Sequence, residues 1–191
     1  IANVGATPLF VDIDEFYHLD TEEMRKVTGS KEFALPELQA ILFVDLYGQT
    51  PDIDKINSFA KEYNLKVIED AAQSFGAEYN GKKVGNLVDL TCLSFNPVKN
   101  LGAIGDAGAV TGKKDLIDKV KMYRDHGRSS RFEYDTIGYN ARMDCLQAAV
   151  LLEKIKYYKE WQKQKLFIAN QYKGFLSDYV VTPKTRPENT H

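Results

Sequence analysis

Residues 40–70 read AILFVDLYGQTPDIDKINSFAKEYNLKVIED. The run Ala40 to Val44 reads as a buried strand, and Tyr47-Gly48-Gln49 as the turn that leaves it. Thr50 fits a helix N-cap and Pro51 the first helical position, where its missing N–H is no loss. Asp52 then brings negative charge to the positive end of the helix dipole. Ile53, Ile56, Phe59 and Ala60 recur at helical spacing and define one apolar face, with the helix ending near Tyr63 and Asn64. Leu65 to Ile68 is a further strand, followed at once by Glu69-Asp70.

The same alternation continues on both sides. Pro8 to Ile13 reads as a short strand, and Asp20 with Glu23 resembles a capping box that opens a helix ending before Gly29. Leu90 to Phe95 and Gly108 to Thr111 read as two more strands. Lys113 to Tyr123 reads as a helix with Leu116, Ile117 and Val120 inward, and Met143 to about Ile155 as another with Asp144 in its first turn. A third carries Tyr158, Trp161, Ile168, Tyr172 and Phe175 on one stripe, most simply core or a subunit contact. Strands alternating with helices imply an α/β fold with a mainly parallel sheet covered on both faces. Ligands of such sheets sit beyond the carboxyl ends of the strands. Three polar clusters stand at those ends: Tyr47-Gly48-Gln49, Asp70 to Ser74, and Ser94 to Asn100. They are expected to converge in one pocket.

The chain has 191 residues, 43% hydrophobic and 27% charged, with a formal net charge of -2. That composition suits one sizeable core and shows no nucleic-acid footprint or membrane-surface patch. Its longest apolar runs, such as Ile41 to Val44, are far too short to cross a bilayer. No signal or targeting segment is visible. Cys92 and Cys145 stand apart in apolar surroundings and are expected to be buried free thiols, which points to a reducing, cytoplasmic setting. Scattered histidines and the lack of a CxxC pair argue against a structural zinc site. Ile1 is not an initiator Met, and Pro183 to Pro187 reads as a connector, so the chain is expected to be an internal piece of something longer.

The chemistry concentrates in Ser94-Phe95-Asn96-Pro97-Val98-Lys99-Asn100-Leu101-Gly102. Lys99 is either a solvated surface lysine or a partly desolvated amine at a strand end, which would make it a better nucleophile toward an aldehyde. Asp70 closes an apolar strand, where a carboxylate needs a partner. It can cap the Ala71-Ala72-Gln73 turn, face the ring nitrogen of a pyridoxal phosphate held on Lys99, or do both. Gln73 could bond the ring hydroxyl of that cofactor and Ser94 its phosphate; each taken alone is also ordinary strand-end polarity. Gly102, Gly105 and Gly108 spell GxxGxxG, which is neither the dinucleotide fingerprint nor a P-loop, so a Rossmann NAD site is poorly supported. These glycines would let backbone pass close to the Lys99 loop. The polar stretch His126 to Arg131 reads as a flexible loop, with arginines that could hold phosphate or carboxylate groups or be plain surface charges.

Several segments, in order along nearly the whole chain, resemble the DegT/DnrJ/StrS sugar aminotransferases of the fold-type I pyridoxal-phosphate enzymes. They are Gly5-Ala6-Thr7-Pro8, Phe10-Val11-Asp12-Ile13-Asp14, Leu46-Tyr47-Gly48-Gln49, and Val67-Ile68-Glu69-Asp70-Ala71-Ala72-Gln73-Ser74. Further along come Ser94-Phe95, Lys99-Asn100-Leu101-Gly102, Gly105-Asp106-Ala107-Gly108-Ala109, Gly138-Tyr139-Asn140-Ala141-Arg142-Met143-Asp144 and Leu146-Gln147-Ala148-Ala149. The resemblance implies a three-layer large domain over residues 1–178, incomplete at its N-terminus, and a connection over 179–191 to a small domain beyond. It makes Lys99 the Schiff-base lysine, Asp70 the carboxylate on the pyridine nitrogen, Gln73 the neighbour of the ring hydroxyl and Ser94 a phosphate ligand. Asn140 would reach the phosphate of a partner subunit's cofactor, so a complete site implies a homodimer. Arg142 and Tyr47 would touch substrate or the neighbouring site.

Two positions depart from the family: His is usual where Asp45 stands, and an aromatic residue or His is frequent at Asn96. Related dehydratases replace the Schiff-base lysine by His, so Lys99 favours amino transfer. The implied reaction is ping-pong, from an amino acid donor, typically glutamate, to a keto group on a nucleotide-linked sugar. The segment Gly138 to Asp144, with Pro187-Glu188-Asn189-Thr190-His191, looks most like members acting on UDP-linked N-acetylated keto-sugars, for cell-surface polysaccharide or glycan biosynthesis. The competing readings are a dehydratase on the same fold and a non-catalytic binding or regulatory protein that keeps it.

Overall fold

A computed structural model describes residues 1–29 and 38–190. In chain order the elements are α1 (Thr21–Gly29), β1 (Ala40–Val44), α2 (Ile53–Glu62), β2 (Lys66–Asp70), β3 (Glu78–Tyr79), β4 (Lys82–Lys83), β5 (Leu90–Ser94), β6 (Gly108–Gly112), α3 (Lys114–Arg124), α4 (Cys145–Lys154), α5 (Tyr158–Leu176) and β7 (Asn189–Thr190). The main sheet runs β1-β2-β5-β6. Its first three strands are parallel and β6 returns antiparallel to β5. A second, antiparallel sheet is ordered β4-β3-β7. The expected α/β class with a mainly parallel sheet is what the chain forms.

Side chains alternate across the strands. Ile41, Phe43 and Val67 face α2, whose Ile53, Ile56, Phe59 and Ala60 are buried against them with Met24 of α1. Leu93 and Ala109, on the same face, pack with Leu151 of α4 and Tyr158 of α5. The opposite face carries Leu42, Val44 and Val110, all exposed within this chain. β1 is therefore buried on one face here, where its apolar run suggested burial on both.

Several boundaries differ from the sequence reading. Pro8 to Ile13 forms no strand; Ile13 makes a single antiparallel bridge to Leu19. Asp20 does cap α1, accepting from the Glu22 and Glu23 N–H groups at 2.8 and 3.3 Å, and the helix runs through Gly29. The cap of α2 is Asp52, which accepts from the Lys55 N–H at 3.0 Å. The Thr50 hydroxyl instead donates to Asn189 Oδ1 at 3.0 Å. α4 starts two residues later than Met143, with Asp144 at the cap position. Cys92 and Cys145 are free thiols, but both are exposed.

The hairpin β3–β4 was not anticipated, although Asn80-Gly81 advertises it. Both residues have positive φ, 48° and 73°, the pairing that a two-residue hairpin turn favours. The segment before β7 lies against the loop after β1. The Gln49 amide donates to the Lys184 carbonyl at 2.8 Å and its oxygen accepts from the Arg186 N–H at 3.0 Å. The Asn189 amide donates to the Thr50 carbonyl at 2.7 Å. His191 lies outside the described residues.

Candidate active site

Asp70 ends β2 and Ser94 ends β5. Parallel register sets Val44, Asp70 and Cys92 side by side, so Asp70 and Ser94 point from the same open face of the sheet. One Asp70 carboxylate oxygen, Oδ1, accepts from the Ala72 N–H at 3.1 Å, so the turn-capping role is present. Ser94 Oγ accepts from the Asn96 N–H at 3.4 Å.

Lys99 is half-buried on the loop that follows β5. The loop is fixed at both ends: the Phe95 N–H donates to Ala107 at 2.7 Å and the Ala103 N–H to Phe95 at 2.8 Å. Leu101 and Ala103 are buried beneath it with Phe95. The Asn96 amide donates to Asp106 at 2.7 Å, and the Lys154 ammonium of α4 donates to the Gly102 carbonyl. A Cβ at Gly102 would stand 2.5 Å from the Pro97 carbonyl oxygen, so the close backbone approach expected of these glycines is realised there.

Tyr47, Gln73 and Lys99 line one cavity of about 410 Å³, with Trp161 and Lys165 of α5 on its far wall. The Tyr47 N–H donates to Gln73 Oε1 at 2.8 Å, and the Asn100 amide donates to the Gln73 carbonyl at 3.3 Å. All three strand-end clusters are thus joined. Asp70 and Ser94 sit on the adjoining sheet face and are not among the cavity's lining residues. Tyr47 has φ 60°, in the left-handed region that a bulky residue enters only when its surroundings impose it.

Beneath this surface lies a group of side chains that the sequence reading did not join to the site. Asp45 and Glu69 are both completely buried. The Ser74 hydroxyl donates to Asp45 Oδ2 at 2.5 Å, and the Thr91 hydroxyl to Glu69 Oε2 at 2.6 Å. Burial drives the Asp45 carboxyl well above the ordinary carboxylate range, helped by the Glu69 charge. Burial also raises Glu69, against the lowering effect of the Thr91 hydroxyl. The signal was available: period-two alternation in Val67-Ile68-Glu69-Asp70 puts Glu69 on the core face and Asp70 on the open one.

Asn140 and Arg142 are elsewhere, on the excursion between α3 and α4, and neither lines the Lys99 cavity. Arg142 pairs with Asp125 at 2.8 Å and donates to Asn140 Oδ1 at 3.3 Å. The stretch expected to be a flexible loop is hydrogen-bonded along its length. Asp125 bridges Asn140, Arg128 bridges Tyr134, and the Asp135 N–H donates to Gly127 at 3.0 Å. Its polar side chains bond one another, which is why polarity alone misread it.

The family model described as the DegT/DnrJ/EryC1/StrS aminotransferase family matches residues 1–191. The chain belongs to that family. Among its relatives, a "Pleiotropic regulatory protein" of Geobacillus stearothermophilus is 41% identical over 190 residues, covering 96% of this chain and 50% of the relative. A "UDP-2-acetamido-2-deoxy-3-oxo-D-glucuronate aminotransferase" of Pseudomonas aeruginosa is 41% identical over 174 residues, covering 90% and 47%. The crystal structure of NtdA from Bacillus subtilis with bound cofactor PMP superposes with a TM-score of 0.82 at 34% identity, covering 96% of this chain and 42% of that one. The chain spans about half the length of the curated relatives it matches.

For a member of this family the polar groups left over at the strand ends are informative. Gln73 uses its oxygen on Tyr47, which leaves its NH₂ as a donor toward the cavity. Ser94 is engaged as an acceptor, which leaves its hydroxyl proton to give. Asp70 keeps Oδ2 with no partner among the described residues.

Proposed function

We propose that this chain is the cofactor-binding half of a pyridoxal-phosphate aminotransferase acting on a nucleotide-linked keto-sugar. The observation that carries the reading is the joining of Lys99, Gln73 and Tyr47 in one cavity at the carboxyl edge of the sheet, beside Asp70. The leftover groups suit the cofactor: a carboxylate acceptor for a protonated ring nitrogen, an amide donor for the ring oxygen, a hydroxyl donor for the phosphate, and a primary amine for the aldehyde. When bound, the cofactor supplies an electron sink for charge at the donor's α carbon.

Within that reading Lys99 holds the cofactor covalently and, once displaced by the amino donor, carries the proton to and from the α carbon. Asp70 keeps the ring nitrogen protonated, and Gln73 fixes the ring's orientation. Tyr47 contacts substrate, and Arg142 reaches the neighbouring site or its substrate. Asn140 completes a partner's site in a homodimer, and the exposed Phe132, Ile137 and Tyr139 around it suit burial against a second copy. The donor is glutamate, as the family resemblance implies, and the acceptor a UDP-linked N-acetylated keto-sugar, in keeping with the name of the Pseudomonas relative. We place the protein in the cytoplasm, in polysaccharide or glycan biosynthesis. No helix among the described residues is long and apolar enough to cross a membrane.

The full-length protein should show a visible absorbance band from lysine-held cofactor, and Lys99→Ala should abolish it. With glutamate and keto-sugar it should release 2-oxoglutarate. Cofactor binding without release would favour the dehydratase. A folded full-length protein that binds no cofactor would favour a regulatory role, the reading that the Geobacillus relative's name supports.

A further inference from the structure

Asp45 and Glu69 stand at the carboxyl ends of adjacent parallel strands, on the core face. Each carboxyl has one oxygen with a hydroxyl donor, from Ser74 or Thr91. The other oxygens, Asp45 Oδ1 and Glu69 Oε1, are buried with no donor at hydrogen-bond distance. Two completely buried acceptors left in this way are rare, because each carries a desolvation penalty. Besides Glu69, the charge that acts on Asp45 is that of Asp70, which is itself acidic. The remaining neighbours are the hydroxyls of Ser74 and Thr91 and the Gly85 N–H. No lysine, arginine or histidine among the described residues forms an ion pair with either carboxyl. Two adjacent buried carboxylates with no cation cannot both be ionised.

We propose that Asp45 and Glu69 share a single proton between Oδ1 and Oε1, and that this acid pair positions the Tyr47–Gln73 edge of the site. Asp45 is two residues before Tyr47, and Ser74 is one after Gln73. Two bonds therefore join the loop after β1 to the turn after β2: Ser74 to Asp45 below, and the Tyr47 N–H to Gln73 above. The lower bond holds only while Asp45 stays in place, and the proton is what lets it stay against Glu69. Asp45 and Glu69 are positioning residues and touch no substrate. The consequence for the site rests on the cofactor reading above; the shared proton does not.

The sign follows from the raised carboxyls, Asp45 above all. Stability from the pair is complete below the ordinary carboxylate range and is lost as pH rises through the elevated Asp45 value. Asp45→Asn replaces the shared proton with a permanent N–H donor of the same shape, while Asp45→Ala removes it.

In the full-length protein, infrared difference spectra between wild type and Asp45→Asn at neutral pH should show one protonated-carboxyl C=O band, present only in the wild type and titrating away on the alkaline side. No such band overturns the shared proton, whether or not cofactor binds. Cofactor release into dialysate should quicken severalfold in the wild type across that same alkaline range. It should stay flat in Asp45→Asn and be fast at every pH in Asp45→Ala. The same alkaline quickening in Asp45→Asn overturns the positioning role. Failure of every variant and the wild type to hold cofactor would instead sink the cofactor reading and leave the infrared result standing.

Discussion

A methyl group at Gly102 would fall 2.5 Å from the Pro97 carbonyl oxygen, which is backbone and cannot swing aside. Gly102→Ala should therefore destabilise the protein by about 1–3 kcal/mol, as overpacking does. The strain falls on the loop that holds Lys99, so the cofactor band should weaken along with the urea midpoint. A normal midpoint and a normal band together would refute this. The strand-end positions of Lys99 and Asp70 were legible in the sequence, because each follows an apolar run that marks a strand. Asp45 and Glu69 were legible as separate residues but not as a pair. Their partnership depends on which face each occupies, and that follows only once the strand register is set.

At the level of elements, α2 shows what pattern reading resolves and what it does not. The apolar spacing of Ile53, Ile56, Phe59 and Ala60 gave the buried face correctly, because hydrophobic periodicity survives in almost any tertiary context. The start was misplaced because Thr50 and Asp52 are both good cap residues, and sequence pattern alone does not choose between them. Asp52→Ala should lower stability by about 1 kcal/mol, and Asp52→Asn by much less, since an amide oxygen also accepts from the Lys55 N–H. The Lys55 pair at 3.7 Å is exposed and adds little. Phe59→Ala should cost about 3–5 kcal/mol, because its ring lies at the centre of the core under β1 and β2. Denaturant titration of the three variants orders them directly. β3 and β4 escaped notice because two-residue strands carry no periodicity, and only their Asn80-Gly81 turn is legible.

For the whole molecule, the separation of Asn140 from the Lys99 cavity sets the decisive test. If Asn140 serves a partner's site, Lys99→Ala and Asn140→Ala chains are each inactive alone but complementary when mixed. One of the two sites in a mixed dimer then keeps both residues. Random pairing should restore about a quarter of the native transaminase activity. No recovery from chains shown to exchange subunits would place Asn140 outside the site. A homodimer is suggested only through family resemblance, since the exposed Ile137 and Tyr139 look like any surface apolar residues within one chain.

The pairing of β3 with β7 joins Glu78 to Thr190 across more than a hundred residues. A ribosome emits the chain from its amino end, so β1, β2 and β5 can assemble while the small sheet still lacks its third strand. Gln49 and Thr50 likewise wait for Lys184 and Asn189. The edge of β3 consequently stays open until β7 has been made, and in this interval a nascent chain is exposed to pairing with the wrong strand.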